Sequence, residues 1–278
     1  MERMLLPSLM CLSPRDLETA LRLFEKNGIP ALHVDVMDGH FVPNLQLGVS
    51  YCQYLREMTK LPLDYHLMVE DPARMLEWFP IREGDWVSVH VETDRHIART
   101  LARIRDLGAH PMVALNPATP LCMAEECFPL VDGVLLMTVN PGFAGQKLVP
   151  STIGKICRLR AMLDEGGYGD LRIETDGNVS EENLLRMRNS GADMFVIGTS
   201  GFLNTRDPRE MEAGIQHFQS LIWPETDAPE SAVGPLKEMA ERNARIRRER
   251  TEAQELREQK KRAAEKRADK AEGEEQTS

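Results

Sequence analysis

The segment ALHVDVM at residues 31–37 is a short apolar run in which His33 and Asp35 alternate with aliphatic residues. Seven similar runs recur at intervals of roughly 20 to 40 residues: MLLPSLM (4–10), LDYHLMV (63–69), WVSVHV (86–91), HPMVAL (110–115), GVLLMTV (133–139), LRIETD (171–176) and DMFVIG (193–198). These runs are too apolar for strands with one face in solvent. They predict eight buried, parallel strands.

Amphipathic helical patterns lie between these runs, and several end just before a glycine. Three examples are residues 14–27 before Gly28, residues 95–107 before Gly108 and residues 180–189 before Gly191. Glycine readily adopts the left-handed conformation that ends many helices. Eight strands alternating with helices predict an α/β fold, a (β/α)8 TIM barrel, because an open doubly wound sheet would have fewer units at this length. No GxGxxG follows the first run, so dinucleotide binding is not predicted.

The composition changes near the end of the chain. Residues 226–235 read TDAPESAVGP, which is typical of a linker, and residues 236–270 consist mainly of Glu, Lys, Arg, Gln and Ala. The few apolar residues in that stretch keep no heptad, which favours a solvated helix or a disordered tail over a coiled coil. We therefore expect a barrel domain at residues 1–223 and a charged, low-complexity tail at residues 224–278, helical or disordered.

The charge and the apolar segments limit the partners and the location. The formal net charge is −10, which argues against nucleic acid as a partner. No stretch reaches the length of a membrane span, and the N-terminal apolar run, interrupted by Pro7, is better read as a strand than as a secretory signal. Five cysteines without CxxC spacing predict free thiols in a reducing compartment. A cytoplasmic location is expected, and the sequence leaves a homo-oligomer open.

Polar side chains near the C-terminal ends of the runs identify the candidate site, because those ends face the active site of a barrel. His33 and Asp35 are two residues apart on a strand, so both side chains point to the same side. Together with His66 and Asp176 they can surround one divalent cation of the Zn, Fe, Mn or Co class. A single strand histidine is more often a satisfied core residue. Four ligand-type residues at strand ends favour a metal site.

Three glycine-containing turns are candidates for a phosphate site. The first, VNPGFAGQ at residues 139–146, lies between the sixth run and a helix whose N-terminus would add positive potential. Its central residues are Gly142, Phe143, Ala144 and Gly145. The others follow the seventh and eighth runs, where barrels commonly bind phosphate, and contain Gly177, Asn178, Gly198 and Thr199. Each alone is more often just a turn, but three at one rim predict a phosphate cradle.

Three methionines, Met37, Met68 and Met137, lie at or near strand ends. Methionine usually fills irregular gaps in a core. Near a metal ion, however, its polarizable sulfur could cover a delocalised enediolate without supplying a proton. We state this covering role as a hypothesis.

Five segments give the chain a resemblance to a known family. They are HVDVMDGHFVPN (33–44), DYHLMVEDP (64–72), LNPATP (115–120), MTVNPGFAGQ (137–146) and IETDGNV (173–179). In content, order and spacing they resemble the ribulose-phosphate 3-epimerase family, and the resemblance covers residues 5 to about 205. It implies a metal-dependent isomerase that inverts C3 of a small ketose phosphate through an enediolate.

The resemblance also implies roles for individual residues. The metal ligands would be His33, Asp35, His66 and Asp176. Of these, Asp35 and Asp176 would be the catalytic acid/base pair, exchanging protons with the sugar from opposite faces. Ser8 and His66 would contact the substrate. The phosphate end would be held by Gly142 to Gly145, Gly177 with Asn178, and Gly198 with Thr199.

Some details depart from the pentulose-phosphate pattern. The first strand of that pattern usually continues as SxLxAD, whereas residues 8–11 here read SLMC, and its VDGGV is replaced by DGN at residues 176–178. These segments, with HFVPNL, PGFAGQ and GTSGFLN, look closer to the D-allulose-6-phosphate 3-epimerase branch. The resemblance therefore favours conversion of D-allulose 6-phosphate to D-fructose 6-phosphate, with D-ribulose 5-phosphate to D-xylulose 5-phosphate as the alternative.

Two other functions are compatible with parts of this sequence. A lyase or decarboxylase could share the phosphate site, but no lysine for Schiff-base chemistry stands at a strand end. A non-catalytic sugar-phosphate sensor, with the charged tail recruiting a partner, is the remote alternative.

Overall fold

A computed structural model describes residues 3–222, so the predicted tail at residues 224–278 lies outside the described residues. Nine strands occur in this part of the chain. They are β1 (Met4–Pro7), β2 (Leu32–Asp38), β3 (Leu45–Gln46), β4 (Leu63–Met68), β5 (Trp86–His90), β6 (His110–Leu115), β7 (Gly133–Met137), β8 (Arg172–Asp176) and β9 (Met194–Ile197). All eight predicted runs are strands. The added strand is the two-residue β3.

The strands form a nearly closed ring. Their order is β1-β9-β8-β7-β6-β5-β4-β2-β3, and every pair except β2 with β3 is parallel. A single parallel bridge between Ser8 and His33 joins β1 to β2 and closes the ring. This confirms the predicted barrel, with β3 as a short antiparallel addition at its rim.

Helical segments cover the outside of the ring. The α-helices are α1 (Leu17–Lys26), α2 (Val49–Met58), α3 (Pro72–Met75), α4 (Ile97–Asp106), α5 (Ser151–Gly166), α6 (Glu181–Asn189) and α7 (Pro208–Ile222). After β6 the place of an α-helix is taken by a 3-10 segment, Leu121–Leu130. Pro129 inside that segment has no N–H to donate, which disfavours a regular α-helix there.

The predicted helix ends are confirmed by the backbone. Gly28, Gly108 and Gly191 have φ angles of 68°, 78° and 105°, as expected for residues that follow a helix. At the start of α6, the hydroxyl of Ser180 accepts a hydrogen bond from the N–H of Asn183 at 3.3 Å. This bond satisfies one of the N–H groups that lack a partner within the helix.

Alternation along the strands divides the core in two. Val34 and Val36 of β2 belong to the large apolar cluster between the ring and the helices. A smaller cluster, which includes Met112, Leu135 and Met194, is formed by residues in alternate strand positions. Six fully buried polar side chains of the strands share this alternate set: His33, Asp64, His66, Ser88, His90 and Glu174. The packed ring therefore fixes the positions of an unusual number of polar groups.

Arg160 on α5 is a buried structural residue. Its Nε donates to Asp164 Oδ1 at 3.0 Å, its Nη1 donates to the Leu171 carbonyl at 3.0 Å, and its side chain is 1% exposed. We expect Arg160→Met to lower the free energy of unfolding by about 3–5 kcal/mol, because a buried carboxylate loses its partner. Urea denaturation measures this, with exposed Arg158→Met on the same helix as control. A loss under about 1 kcal/mol, as for an ordinary surface change, would contradict the role.

Within residues 3–222, none of the helices combines the length and the apolar character needed to cross a lipid bilayer. The cytoplasmic location stays a prediction.

Candidate functional site

The four predicted metal ligands meet at the C-terminal end of the ring. β2 carries His33 and Asp35, β4 carries His66, and β8 ends at Asp176. One ligand atom from each lies within 4.8 Å of the others. His33 Nε2 is 3.3 Å from Asp35 Oδ1 and 4.0 Å from Asp176 Oδ2, while His66 Nδ1 is 3.6 Å and 3.5 Å from the same two oxygens. The strand ends therefore bring the set together.

These separations fit a shared ion. Two ligand atoms that are each about 2.0–2.2 Å from one metal are at most about 4.4 Å apart. His33 Nε2 and His66 Nδ1 are both buried without a hydrogen-bond partner, which is costly unless another group satisfies them. Both nitrogens lie beside the carboxylates. The donor set and its unsatisfied nitrogens thus fit a divalent cation.

The carboxylates shift the pKa values of the histidines. Burial lowers the pKa of His33, but the charges of Asp35 and Asp64 outweigh it and hold that pKa well above its usual range. Burial also lowers the pKa of His66, but the nearby carboxylates of Asp176 and Asp35 outweigh it and raise that pKa to about 9. Metal ions and protons compete for the same nitrogen lone pairs. The carboxylates therefore favour a positive charge at this position.

Two further acidic side chains contact His33 at its other ring nitrogen, Nδ1. Its Nδ1 is 2.6 Å from Asp64 Oδ2 and 3.3 Å from Glu174 Oε1, and all three side chains are fully buried. Burial and the Asp64 charge raise the pKa of Glu174 to about 8. A carboxylate on Nδ1 orients the ring and leaves Nε2 for the metal. Neither acid was predicted as a site residue.

His66 has a different outer partner. Its Nε2 is 2.9 Å from His90 Nε2, and His90 Nδ1 is 3.1 Å from Glu92 Oε2. The ring of Phe41 covers His90, with their centroids 4.6 Å apart. This pair was not predicted, although its signal was present: His90 and Glu92 have the same two-residue spacing as His33 and Asp35, and His90 is the last residue of β5.

A pocket of about 530 Å³, including its open mouth, is lined by Asp35 and Asp176 of the four-residue cluster. His33 and His66 are not among its lining residues. Ser8 lines it and donates a hydrogen bond to Asp35 Oδ2 at 2.7 Å. Met37, Met68 and Met137 also line the pocket and are each at most 5% exposed. The structure therefore brings these three sulfur-containing side chains to the site, as the covering hypothesis requires.

The three predicted turns converge on the rim of this pocket. Gly142, Phe143, Ala144, Gly145, Gly177, Asn178, Gly198 and Thr199 all line it. Glycine is required at position 177, because φ is 116° and a Cβ there would lie 2.6 Å from a Val139 methyl. We call residues 139–146, 177–178 and 198–200 the rim turns.

Asn178 ties the rim turns together. Its Nδ2 donates to the Gln146 carbonyl at 2.8 Å and to Ser200 Oγ at 3.1 Å, while its Oδ1 accepts from Asn183 at 2.8 Å. The side-chain amide is thus fully used within the protein. It fixes the distances between the three turns. Any contact between Asn178 and a phosphate would therefore come from its backbone.

The predicted turn at residues 139–146 lies between β7 and α5, as the sequence suggested. The helix begins at Ser151, so a short non-helical stretch separates it from the turn. Gly142 and Gly145, with φ angles of 120° and 77°, keep the turn out of helical geometry, and Pro141 disfavours it at the preceding residue. Any anion at this turn would depend on its backbone N–H groups.

Four pocket residues lie outside the segments predicted for the site: Met10, Cys11, Val179 and Val196. Val139, Pro141 and Gln146 belong to the predicted 139–146 turn and Ser200 follows Thr199, but none of these four was given an individual role. Several of these residues are adjacent in sequence to predicted site residues, so the sequence identified the segments that line the pocket. Which neighbour faces the pocket depends on turn geometry, which spacing alone does not give.

Comparison with known proteins now decides the family. The model of the ribulose-phosphate 3-epimerase family matches residues 4–202. The chain belongs to this family. The ribulose-phosphate 3-epimerase of Bacillus subtilis (strain 168) is 42% identical over 194 residues, covering 70% of this chain and 89% of that protein. The enzyme of the same name from Aquifex aeolicus (strain VF5) is 41% identical over 197 residues, covering 71% and 86%.

Solved structures share the fold of this epimerase at low identity. The 3-hexulose-6-phosphate synthase from Salmonella typhimurium aligns with a TM-score of 0.58 and 14% identity, covering 79% of this chain and 98% of that one. At that identity the likeness shows the barrel and nothing of the chemistry.

Family membership establishes the class of the enzyme. It is an isomerase, an epimerase of ketose phosphates, and its substrate is a small sugar phosphate. The family uses a divalent metal ion, and the His33, Asp35, His66 and Asp176 cluster could hold one. The sensor and the lyase are set aside. Both named relatives are ribulose-phosphate epimerases, which supports the pentulose alternative over the favoured hexulose.

Proposed function

We propose that this enzyme interconverts D-ribulose 5-phosphate and D-xylulose 5-phosphate by metal-dependent inversion of C3. The observation that carries the proposal is one pocket that is lined both by Asp35 and Asp176, two members of the four-residue ligand cluster, and by the rim turns. A ketose phosphate would place its reacting carbons at the floor and its phosphate at the rim.

His33, Asp35, His66 and Asp176 would hold the cation, of the Zn, Fe, Mn or Co class. When bound, it supplies a Lewis acid that polarises the C2 carbonyl and stabilises the negative charge of the enediolate. Within the protein, Asp64 fixes the ring of His33, and Ser8 fixes the carboxylate of Asp35. These bonds keep the reacting groups in place before the substrate arrives.

Asp35 and Asp176 would carry the protons. The ring order places β2 and β8 three steps apart, with β1 and β9 between them, so the two carboxylates enter the site from different directions. One carboxylate removes the C3 proton and becomes the acid. The other gives its proton to C3 from the opposite face, which inverts the carbon, and the two protonation states are exchanged.

The rim turns would hold the phosphate. The described pocket has acidic side chains at its floor, so the phosphate is disfavoured there and favoured at the backbone N–H groups of the rim. Asn178 keeps the three turns at a fixed spacing. The substrate would therefore bind in one orientation.

Met37, Met68 and Met137 would cover the enediolate. Their sulfur atoms do not titrate, so they exclude water without offering a proton. Met137→Leu with unchanged turnover and unchanged proton exchange at C3 would remove this role.

The substrate is tested by comparing kcat/KM for D-ribulose 5-phosphate and D-allulose 6-phosphate in the metal-loaded enzyme. The two sugars differ by one CHOH unit, so we expect a preference for the pentulose of about 10- to 200-fold. A preference for the hexulose would restore the interpretation based on the SLMC and DGN segments and would leave the epimerase chemistry intact. Turnover of neither sugar would refute the proposed function.

A further inference from the structure

The two metal-binding histidines are supported in different ways. His33 contacts a carboxylate directly, whereas His66 contacts another histidine, His90. A neutral histidine between a metal-binding histidine and a carboxylate can form its two hydrogen bonds in either direction, because either ring nitrogen can carry the proton. The surroundings of His90 must therefore determine which way its hydrogen bonds run.

Glu92 sets that direction. Its Oε1 accepts the backbone N–H of Asn116 at 2.8 Å and the hydroxyl of Thr119, which leaves Oε2 for His90 Nδ1 at 3.1 Å. An ionised carboxylate only accepts hydrogen bonds. His90 therefore carries its proton on Nδ1, and its Nε2 presents a lone pair to His66.

The direction of this hydrogen bond determines the tautomer of His66. Because His90 Nε2 accepts, His66 Nε2, 2.9 Å away, must donate. A metal ion would displace any proton on Nδ1 and leave His66 as a neutral imidazole with its remaining proton on Nε2 and its Nδ1 lone pair free for the ion. That nitrogen faces Asp35 and Asp176 and has no hydrogen-bond partner.

We propose that Glu92 and His90 are positioning residues that fix the tautomer and the ring orientation of His66, so that its Nδ1 is presented to the metal ion. We call Glu92, His90 and His66 the relay. The inference rests on the proposed metal-dependent function and adds to it the residues that prepare one of its ligands. Partners of this kind commonly contribute 10- to 100-fold to metal affinity.

The far end of the relay is anchored in the protein. Lys155 on α5, which is 4% exposed, donates from Nζ to the Asn116 carbonyl at 2.6 Å and to the Pro117 carbonyl at 3.4 Å. This fixes the loop whose Asn116 N–H and Thr119 hydroxyl hold Glu92. At the other end, Phe41 covers His90, which is fully buried. The contact between His66 and His90 is therefore closed to water, while Glu92 is 18% exposed.

Glu92→Gln is the sharpest test, because it changes the polarity of the relay with almost no change of shape. The Asn116 N–H can only donate, so it requires the amide oxygen of the new side chain. The NH₂ group must then face His90 Nδ1 and donate to it. His90 would carry its proton on Nε2, and His66 would be forced to protonate Nδ1, the atom that faces the metal.

The measurement is the affinity for Zn²⁺ alone, by competition with a chromophoric chelator at neutral pH, for the full chain. We expect Glu92→Gln to weaken the affinity about 10- to 100-fold. His90→Leu should weaken it at least as much, whereas His90→Gln, whose amide both accepts from His66 and donates to Glu92, should recover most of the loss. Ser88→Ala, two residues earlier on β5 and equally buried, is the control and should bind like the wild type.

The outcomes distinguish failure of the relay from failure of the metal-dependent function. Wild-type protein that binds Zn²⁺ while Glu92→Gln binds it equally well would overturn the relay and leave the metal-dependent function standing. Equal losses in His90→Gln and His90→Leu would also overturn it, since His90 would then only fill space. Wild-type protein without measurable Zn²⁺ affinity would overturn the metal-dependent function and the relay together.

Discussion

Replacing Asp176 or Asp35 with asparagine is expected to lower kcat/KM for epimerisation by about 10²- to 10⁴-fold, the range for loss of a positioned acid or base. An amide is close in shape to a carboxylate but cannot take up or deliver the proton at C3. Both residues lie within the cluster at the floor of the pocket, and Asp35 is held there by Ser8. The rate is measured in both directions, with metal content determined for each variant.

Exchange of the C3 hydrogen with deuterated water gives a stronger form of this test. If each aspartate serves one face, each variant should still exchange the C3 hydrogen of one epimer and lose exchange of the other. Asp132→Asn, in a carboxylate that pairs with Arg105 at the opposite end of the ring, is the control and should keep the wild-type rate. Exchange of both epimers at normal rates in Asp176→Asn would refute the two-face assignment.

Removal of the metal ion is expected to have an effect of similar size. Lewis-acid stabilisation is worth several kcal/mol, so the stripped enzyme should turn over about 10²- to 10⁴-fold more slowly and recover with one equivalent of Zn²⁺, Mn²⁺, Co²⁺ or Fe²⁺ per chain. Dialysis against a chelator, metal analysis and stepwise addition of each ion measure this. The ion that restores the highest rate identifies the preferred metal.

The same experiment has a readout in stability. Without an ion, His33 Nε2 and His66 Nδ1 are buried and unsatisfied among several carboxylates. A ligand present at about 1,000 times its Kd stabilises the folded state by about 4 kcal/mol, so metal addition should raise Tm. Full activity with less than about one tenth of an equivalent of metal would contradict the proposed role.

The sequence predicted the barrel well because its signals are local. Eight short apolar runs separated by helices that end at glycines correspond to one architecture, and every run is a strand. β3 was missed because a two-residue strand has no periodicity to detect. The 3-10 segment after β6 was also missed, although Pro120 and Pro129 argued against a regular helix there.

The candidate site was predicted in part. Polar residues at strand ends were sufficient to predict that His33, Asp35, His66 and Asp176 converge, because the fold dictates it. Asp64 and Glu174 were missed since a carboxylate inside a strand gives no sign of the histidine it contacts. The role of Asn178 was invisible for another reason: its partners, Gln146 and Ser200, come from distant turns that only the folded chain brings together.

The bridge that closes the ring also has a dynamic consequence. Only the Ser8–His33 bridge joins β1 to β2 in the described chain, and Ser8 is bonded to Asp35 at the same point. A transient separation of these two strands would move His33 and Asp35 away from Asp176 on the other side of the opening. Separation of the two strands and release of the ion would then be the same event. The exchange rate of the bound metal would therefore measure how often β1 and β2 separate.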